Sequence, residues 1–124
     1  MAATRIEKMQ EILRNLRSLA PGVEASALIS LDGLTIAANL PTEVEEERIA
    51  AMSAAMLGLG ERASKEFGKG KLNRVLIDSE EGKIILTEAG EDMVLTVITA
   101  KNAKLGLVLL EMRRAAKNLE KVMG

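Results

Sequence analysis

The 124 residues predict an α+β protein of three α/β/α layers around one five-stranded antiparallel sheet, with elements in the order α-β-β-α-β-β-β-α. Apolar residues recur at helical spacing near the start, the middle and the end of the chain, and between these segments the period drops to two in short runs. The last three runs are joined by Ser79-Glu80-Glu81-Gly82 and Ala89-Gly90-Glu91-Asp92, connections far too short for parallel crossovers, so they form an antiparallel meander. The final run is apolar on both faces, with Val94 and Ile98 on one and Leu95 and Val97 on the other, so the sheet needs helices on both sides.

Taken in order, Thr4 with Glu7 reads as a capping box, and Ile6, Met9, Leu13, Leu16 and Ala20 then share one helical face until Pro21-Gly22 stops it. From Val23 onward Ala25, Ala27, Ile29 and Leu31 point one way and Ser26, Leu28 and Ser30 the other. Asp32-Gly33 makes the tight turn of a hairpin that continues as a strand over 34–38. Thr42 with Glu45 reads as a second capping box, and the acidic run 43–47 suits the positive end of a helix dipole, so the middle helix runs from there to Phe67. Gly68-Lys69-Gly70 ends it, and strands are expected at 72–78, 83–88 and 93–99. Asn102 is the expected N-cap of a last helix whose face carries Leu105, Val108, Leu109, Met112, Ala116, Leu119 and Met123. The first and last helices are expected on one face of the sheet and the middle helix on the other, as a single domain over 1–124.

Composition excludes a good deal of chemistry. The chain has no Cys, His, Trp or Tyr, and Phe67 is its one aromatic residue. That leaves no thiol nucleophile, no imidazole base, no zinc or haem site of ordinary type, and no aromatic platform for nucleic-acid bases. Lys and Arg number 17 against 18 Asp and Glu, so no net basic field favours DNA. Arg5, Glu7 and Lys8 break any signal-peptide apolar region, and the uncharged stretch 49–60 would span only about 18 Å as a helix, too short for a bilayer. These features point to a soluble, cytoplasmic protein with no direct membrane insertion, no nucleic-acid partner, no cofactor and no enzymatic activity.

Motif-like patterns reduce to simpler readings. Gly58-Leu59-Gly60 before Ala63 has the letters of a dinucleotide fingerprint but lies inside a helix, whereas that motif needs a strand before it. Gly68-Lys69-Gly70-Lys71 lacks Walker spacing and runs from helix to strand, the reverse of a phosphate cradle. The acidic run at 43–47 is a dipole-adapted first turn, and Arg113-Arg114 is a solvated helix face.

The middle helix asks for more than core packing. Winding it places Ile49, Met52, Ser53, Met56, Leu59, Gly60, Ala63 and Phe67 toward the sheet and Ala50, Ala51, Ala54, Ala55 and Gly58 outward. Charges gather only at the ends of that outer strip, at Glu47, Arg48, Glu61, Arg62 and Lys65, the anatomy of a docking surface with a dry centre and polar rim. The strand at 72–78, carrying Val75, Leu76 and Ile77 and no proline, is expected at a sheet edge, where an unprotected strand invites a second copy. In such a pairing Arg74 and Asp78 would meet reciprocally across the twofold axis.

Helix, Asp-Gly hairpin, small-residue helix, three-strand meander and a last helix entered through Asn102-x-x-Leu105-Gly106 together resemble the Roadblock / dynein light chain family over nearly the whole chain. The resemblance implies a profilin-like Roadblock fold and homodimers or heterodimers built through the third strand and the middle helix. It also implies a non-enzymatic adaptor or regulator of a small Ras-like GTPase, similar to bacterial Mgl-type polarity regulators. On this sequence it places a dimer interface at Met52, Leu59, Arg74, Val75, Leu76, Ile77 and Asp78. The GTPase-docking stripe falls at Glu47, Ala50, Ala51, Ala54, Ala55, Gly58 and Arg62. With Gly124 directly after the last helix, the C-terminal extension of some Mgl-type regulators is not expected, and no arginine finger is implied at Arg62 or Arg113. A reading from another class is a small-molecule sensor or general dimeric scaffold in a signalling complex, against which the scarcity of convergent polar and aromatic groups weighs.

Overall fold

The computed structural model describes residues 3–42 and 44–124. It contains α1 (Arg5–Leu19), β1 (Val23–Ser30), β2 (Thr35–Asn39), α2 (Glu46–Glu66), β3 (Val75–Ser79), β4 (Gly82–Glu88), β5 (Met93–Ala100) and α3 (Leu105–Met123). The strands form one antiparallel sheet in the order β2-β1-β5-β4-β3, so the two long apolar strands sit at its centre and β3 lies at an edge. Element order, antiparallel meander and edge position all match the sequence expectation.

On one face of the sheet, Met9, Leu13 and Leu16 of α1 and Val108, Met112 and Leu119 of α3 pack with Leu28, Ile85, Leu95 and Val97. On the other, α2 places Ala50 with Ala27 and Ile29, and Leu57 with Leu86 and Val94. Each fully buried aliphatic side chain of this kind contributes roughly 1.5–3 kcal/mol. The register explains the sorting: Leu28 lies opposite Leu95 and Ile29 opposite Val94, so neighbouring residues feed opposite cores. A bulge between Val23 and Ala25 breaks the expected alternation and delivers Val23 to the α1/α3 side.

Local signals explain the boundaries, with several corrections. Thr4 and Glu7 form the full capping box. Ile6, expected on the inner face of α1, is exposed, because the buried line begins one turn later at Met9. At Asp32-Gly33 the glycine takes φ +85°, and its N–H donates to the Ser30 carbonyl at 3.0 Å. The second capping box does not start α2: Val44 N–H closes a turn onto the Pro41 carbonyl at 3.1 Å, and Glu45 becomes the N-cap without a side-chain bond. Glu43 lies outside the described residues. Nor is Asn102 the N-cap of α3; a turn from Ala103 N–H to the Ala100 carbonyl carries the chain on to Lys104, which holds that position. Residues 72–74 precede β3 rather than belonging to it.

Gly82 starts β4 at φ +151°, and a Cβ there would collide with the Thr99 carbonyl oxygen of β5.

Candidate functional site

The site expected from the sequence lies on α2 and β3, and the structure rotates the helix relative to that expectation. Its buried line is Ala50, Ser53 and Leu57. Ala50, assigned to the outward stripe, is 1% exposed against β1, whereas Met52, Leu59 and Phe67, assigned inward, are 55%, 68% and 76% exposed. The cause is close approach. The Gly33 turn comes within ordinary contact of the Ala51 Cα and the Ala54 Cβ, and the Ser53 hydroxyl accepts a 2.8 Å hydrogen bond from Thr96 beneath the helix. In its first turns the helix therefore presents small residues, Ala50 and Ser53, to the sheet, and the large side chain that enters this core is Leu57.

At about 100° per residue, α2 then presents three distinct sides to its surroundings. Ala51, Ala55, Gly58 and Arg62 lie about 140° round from the buried line on the side of the Gly33 turn and are exposed. Nothing approaches the position of a Cβ on Gly58, so this face is smooth and open. Met52 and Leu59 project about a quarter-turn further round, equally far from the buried line on the side of β3. That side borders β3: Met56, Leu72 and Val75 pack against the same core of Leu57, Leu86 and Val94, and the missing Cβ of Gly60 makes room for a Val75 methyl and a Leu72 methyl. On the other flank, beside the Gly33 turn, Ala54 is half-buried and Glu47 is exposed.

β3 pairs only with β4, so its outer row of N–H and C=O groups has no partner strand within the described residues. Val75 and Ile77 lie opposite Leu86 and Ile84 and turn toward the α2 layer, half-buried. Leu76 turns to the other face and is exposed, with Arg74 and Asp78 on the same side. The Asp78 carboxylate already lies 3.5 Å from Lys83 Nζ on β4, so it is not held open for an Arg74 across an axis.

The side of α2 that carries Met52 and Leu59 therefore borders the edge strand through Met56 and Gly60, and the small-residue face adjoins it. Sequence reading missed the Ser53–Thr96 bond, because only the fold brings two mid-element hydroxyls together. It also missed Glu111, a buried carboxylate on α3 held by Arg114 at 3.0 Å; its i, i+3 spacing was the available signal.

Comparison with known proteins finds the same fold in several relatives. The gliding protein MglB of Thermus thermophilus superposes with a TM-score of 0.85 at 20% identity, over 98% of this chain and 93% of that one. An MglB solved in a tetrameric arrangement gives 0.89 at 21%, over 98% and 92%. The uncharacterized protein MJ1340 of Methanocaldococcus jannaschii is 38% identical over 99 residues, covering 80% of this chain and 86% of that protein. Residues 9–99 match the Roadblock/LC7 domain, and the chain belongs to that family.

Proposed function

We propose that the chain is a non-enzymatic, cytoplasmic adaptor, one domain over its full length, that dimerises and holds a small Ras-like GTPase on its α2 layer. The observation that carries this reading is the division of labour around α2. Met52 and Leu59 extend the apolar β3 edge and suit a second copy, while the outer face is smooth enough for a different partner. Antiparallel pairing of β3 with its mate places the twofold axis perpendicular to the joined sheet, so both α2 helices lie on the same side. Two outer faces of Ala51, Ala55 and Gly58, rimmed by Arg62 and Glu47, then form one continuous platform with a dry centre. Ala50 has no place in it. The tetrameric arrangement of a structural neighbour, MglB, supports self-association.

The test is Ala55→Arg. It puts a long cation on the open face without touching the sheet. The variant is expected to keep its melting temperature and its dimer while losing capture of a GTP-loaded small GTPase from the same cytoplasm. Undiminished capture would remove the outer face as the docking site.

A further inference from the structure

The chain is nearly neutral as a whole, but its charges are segregated by layer. Residues 1–22 and 101–124, which supply α1, α3 and their adjoining turns, carry ten Lys and Arg against four Glu; residues 23–100 carry seven against fourteen Asp and Glu. All ten cations of the α1/α3 layer are exposed. Among the described residues only Arg114 of the ten is ion-paired, to the buried Glu111. Large apolar side chains stand among them: Leu19 at the end of α1 is 58% exposed, and Leu107 and Leu110 on the first turns of α3 are exposed too. Leu19 borders Glu111 and Ala115 in a shallow depression between the helices, and Leu107 borders Pro21-Gly22 in the next, so these two leucines stand where α1 ends and α3 begins, with Leu110 one turn further along α3. Arg14, Arg17, Lys101, Lys104 and Arg113 lie on these same segments. The start of α3 has Lys104 as N-cap, no side-chain cap bond and no acidic residue in its first turn, a cationic helix start that an external anion would stabilise.

We infer that the α1/α3 layer is a peripheral docking face for an anionic lipid bilayer. The alternation of exposed leucines with long basic side chains is what separates a bilayer from other polyanions. Leucines enter the acyl boundary while Lys and Arg stems lie along it and hold their charges at the headgroups. Nucleic-acid phosphates have no use for the leucines. No described helix is long and apolar enough to cross a membrane, so the contact is adsorption, driven by charge and a few shallow side chains. The acidic remainder of the molecule, α2 included, then faces away from the lipid. The face stands independently of the GTPase reading, and in a β3-joined dimer two copies of it would lie on one side and bind with avidity.

Flotation of the full chain with phosphatidylcholine vesicles, with and without about 30% phosphatidylserine, tests the inference. Binding is expected to be at least about tenfold tighter to the anionic vesicles and to fall away as salt rises from about 0.05 to 0.5 M. Arg14→Gln/Lys104→Gln/Arg113→Gln should lose about tenfold, and Leu107→Ser/Leu110→Ser a similar factor, with melting temperatures showing that both remain folded. Lys65→Gln/Lys69→Gln/Lys71→Gln, on the opposite layer, should bind like the native chain. Indifference of the native chain to phosphatidylserine overturns the inference with no variant needed. Equal loss in the Lys65 set overturns it as well. So does full retention in the leucine variant with competition by duplex DNA or polyglutamate, which would assign the face to polyanions in general.

Discussion

Two side chains in α2 show how much a single position decides. Ser53 is buried and accepts from the Thr96 hydroxyl at 2.8 Å, the only side-chain to side-chain hydrogen bond between helix and sheet on that face among the described residues. Ser53→Ala strands the Thr96 hydroxyl in an apolar layer and should cost about 1–3 kcal/mol, read as a lowered urea midpoint at unchanged slope. Adding Thr96→Val removes the orphan and should recover most of that loss; a double variant no better than the single one would show that packing, not the bond, sets the cost. Ala50 and Ala55 make the second contrast, since both are alanines of one helix. Ala50→Arg drives a cation under the helix against Ala27 and Ile29 and should destabilise by more than about 4 kcal/mol, whereas Ala55→Arg should change stability by less than about 0.5 kcal/mol. Equal thermal shifts in the two would contradict the rotation of the helix described above.

At the scale of elements, β3 is the least protected part of the sheet. It is short, pairs on one side only, and shows Leu76 to solvent. Leu76→Lys puts charge on an edge whose inner-facing residues, Val75 and Ile77, stay in place. The variant should keep its fold, judged by circular dichroism, and sediment as a monomer at concentrations where the native chain is dimeric. A variant that still dimerises would move the seam elsewhere.

The elements themselves were legible in the amino-acid pattern, because each is announced by a change of period and a local stop: Pro21-Gly22, Asp32-Gly33, Gly68-Lys69-Gly70. Less legible was the roll of α2. Hydropathy ranks Met52 and Leu59 above Ala50 and Ser53, so periodicity alone sends the larger residues inward. What reverses this is the distance between helix and sheet, set by the Gly33 turn and the Gly60–Val75 approach, which no local window contains. The helix starts failed for a related reason: Thr42 and Asn102 have capping chemistry, but each sits inside a turn, and the helix begins only after it. The apolar edge was readable because a meander after a long connection leaves its first strand outermost. Its Arg74–Asp78 pairing was not, since Lys83 reaches Asp78 from β4.

At the scale of the whole molecule, oligomerisation and stability are one question. A chain of 124 residues can bury a core large enough to fold alone, so a monomer produced by Leu76→Lys is expected to be folded rather than lost. For the native chain, the proposed dimer couples unfolding to dissociation, and melting then depends on concentration. A tenfold increase shifts the balance by about 0.7 kcal/mol per chain, half of the 1.4 kcal/mol that a factor of ten is worth. Unfolding entropy at about 2.1 cal/mol/K per residue gives a domain of this length about 0.26 kcal/mol/K, so the melting temperature should rise by about 2–3 °C for each decade of protein. The Leu76→Lys monomer should show no such slope while melting cooperatively. A native chain whose melting point is flat across two decades would be a monomer throughout, and the joined sheet, with both α2 faces on one side, would have to be abandoned.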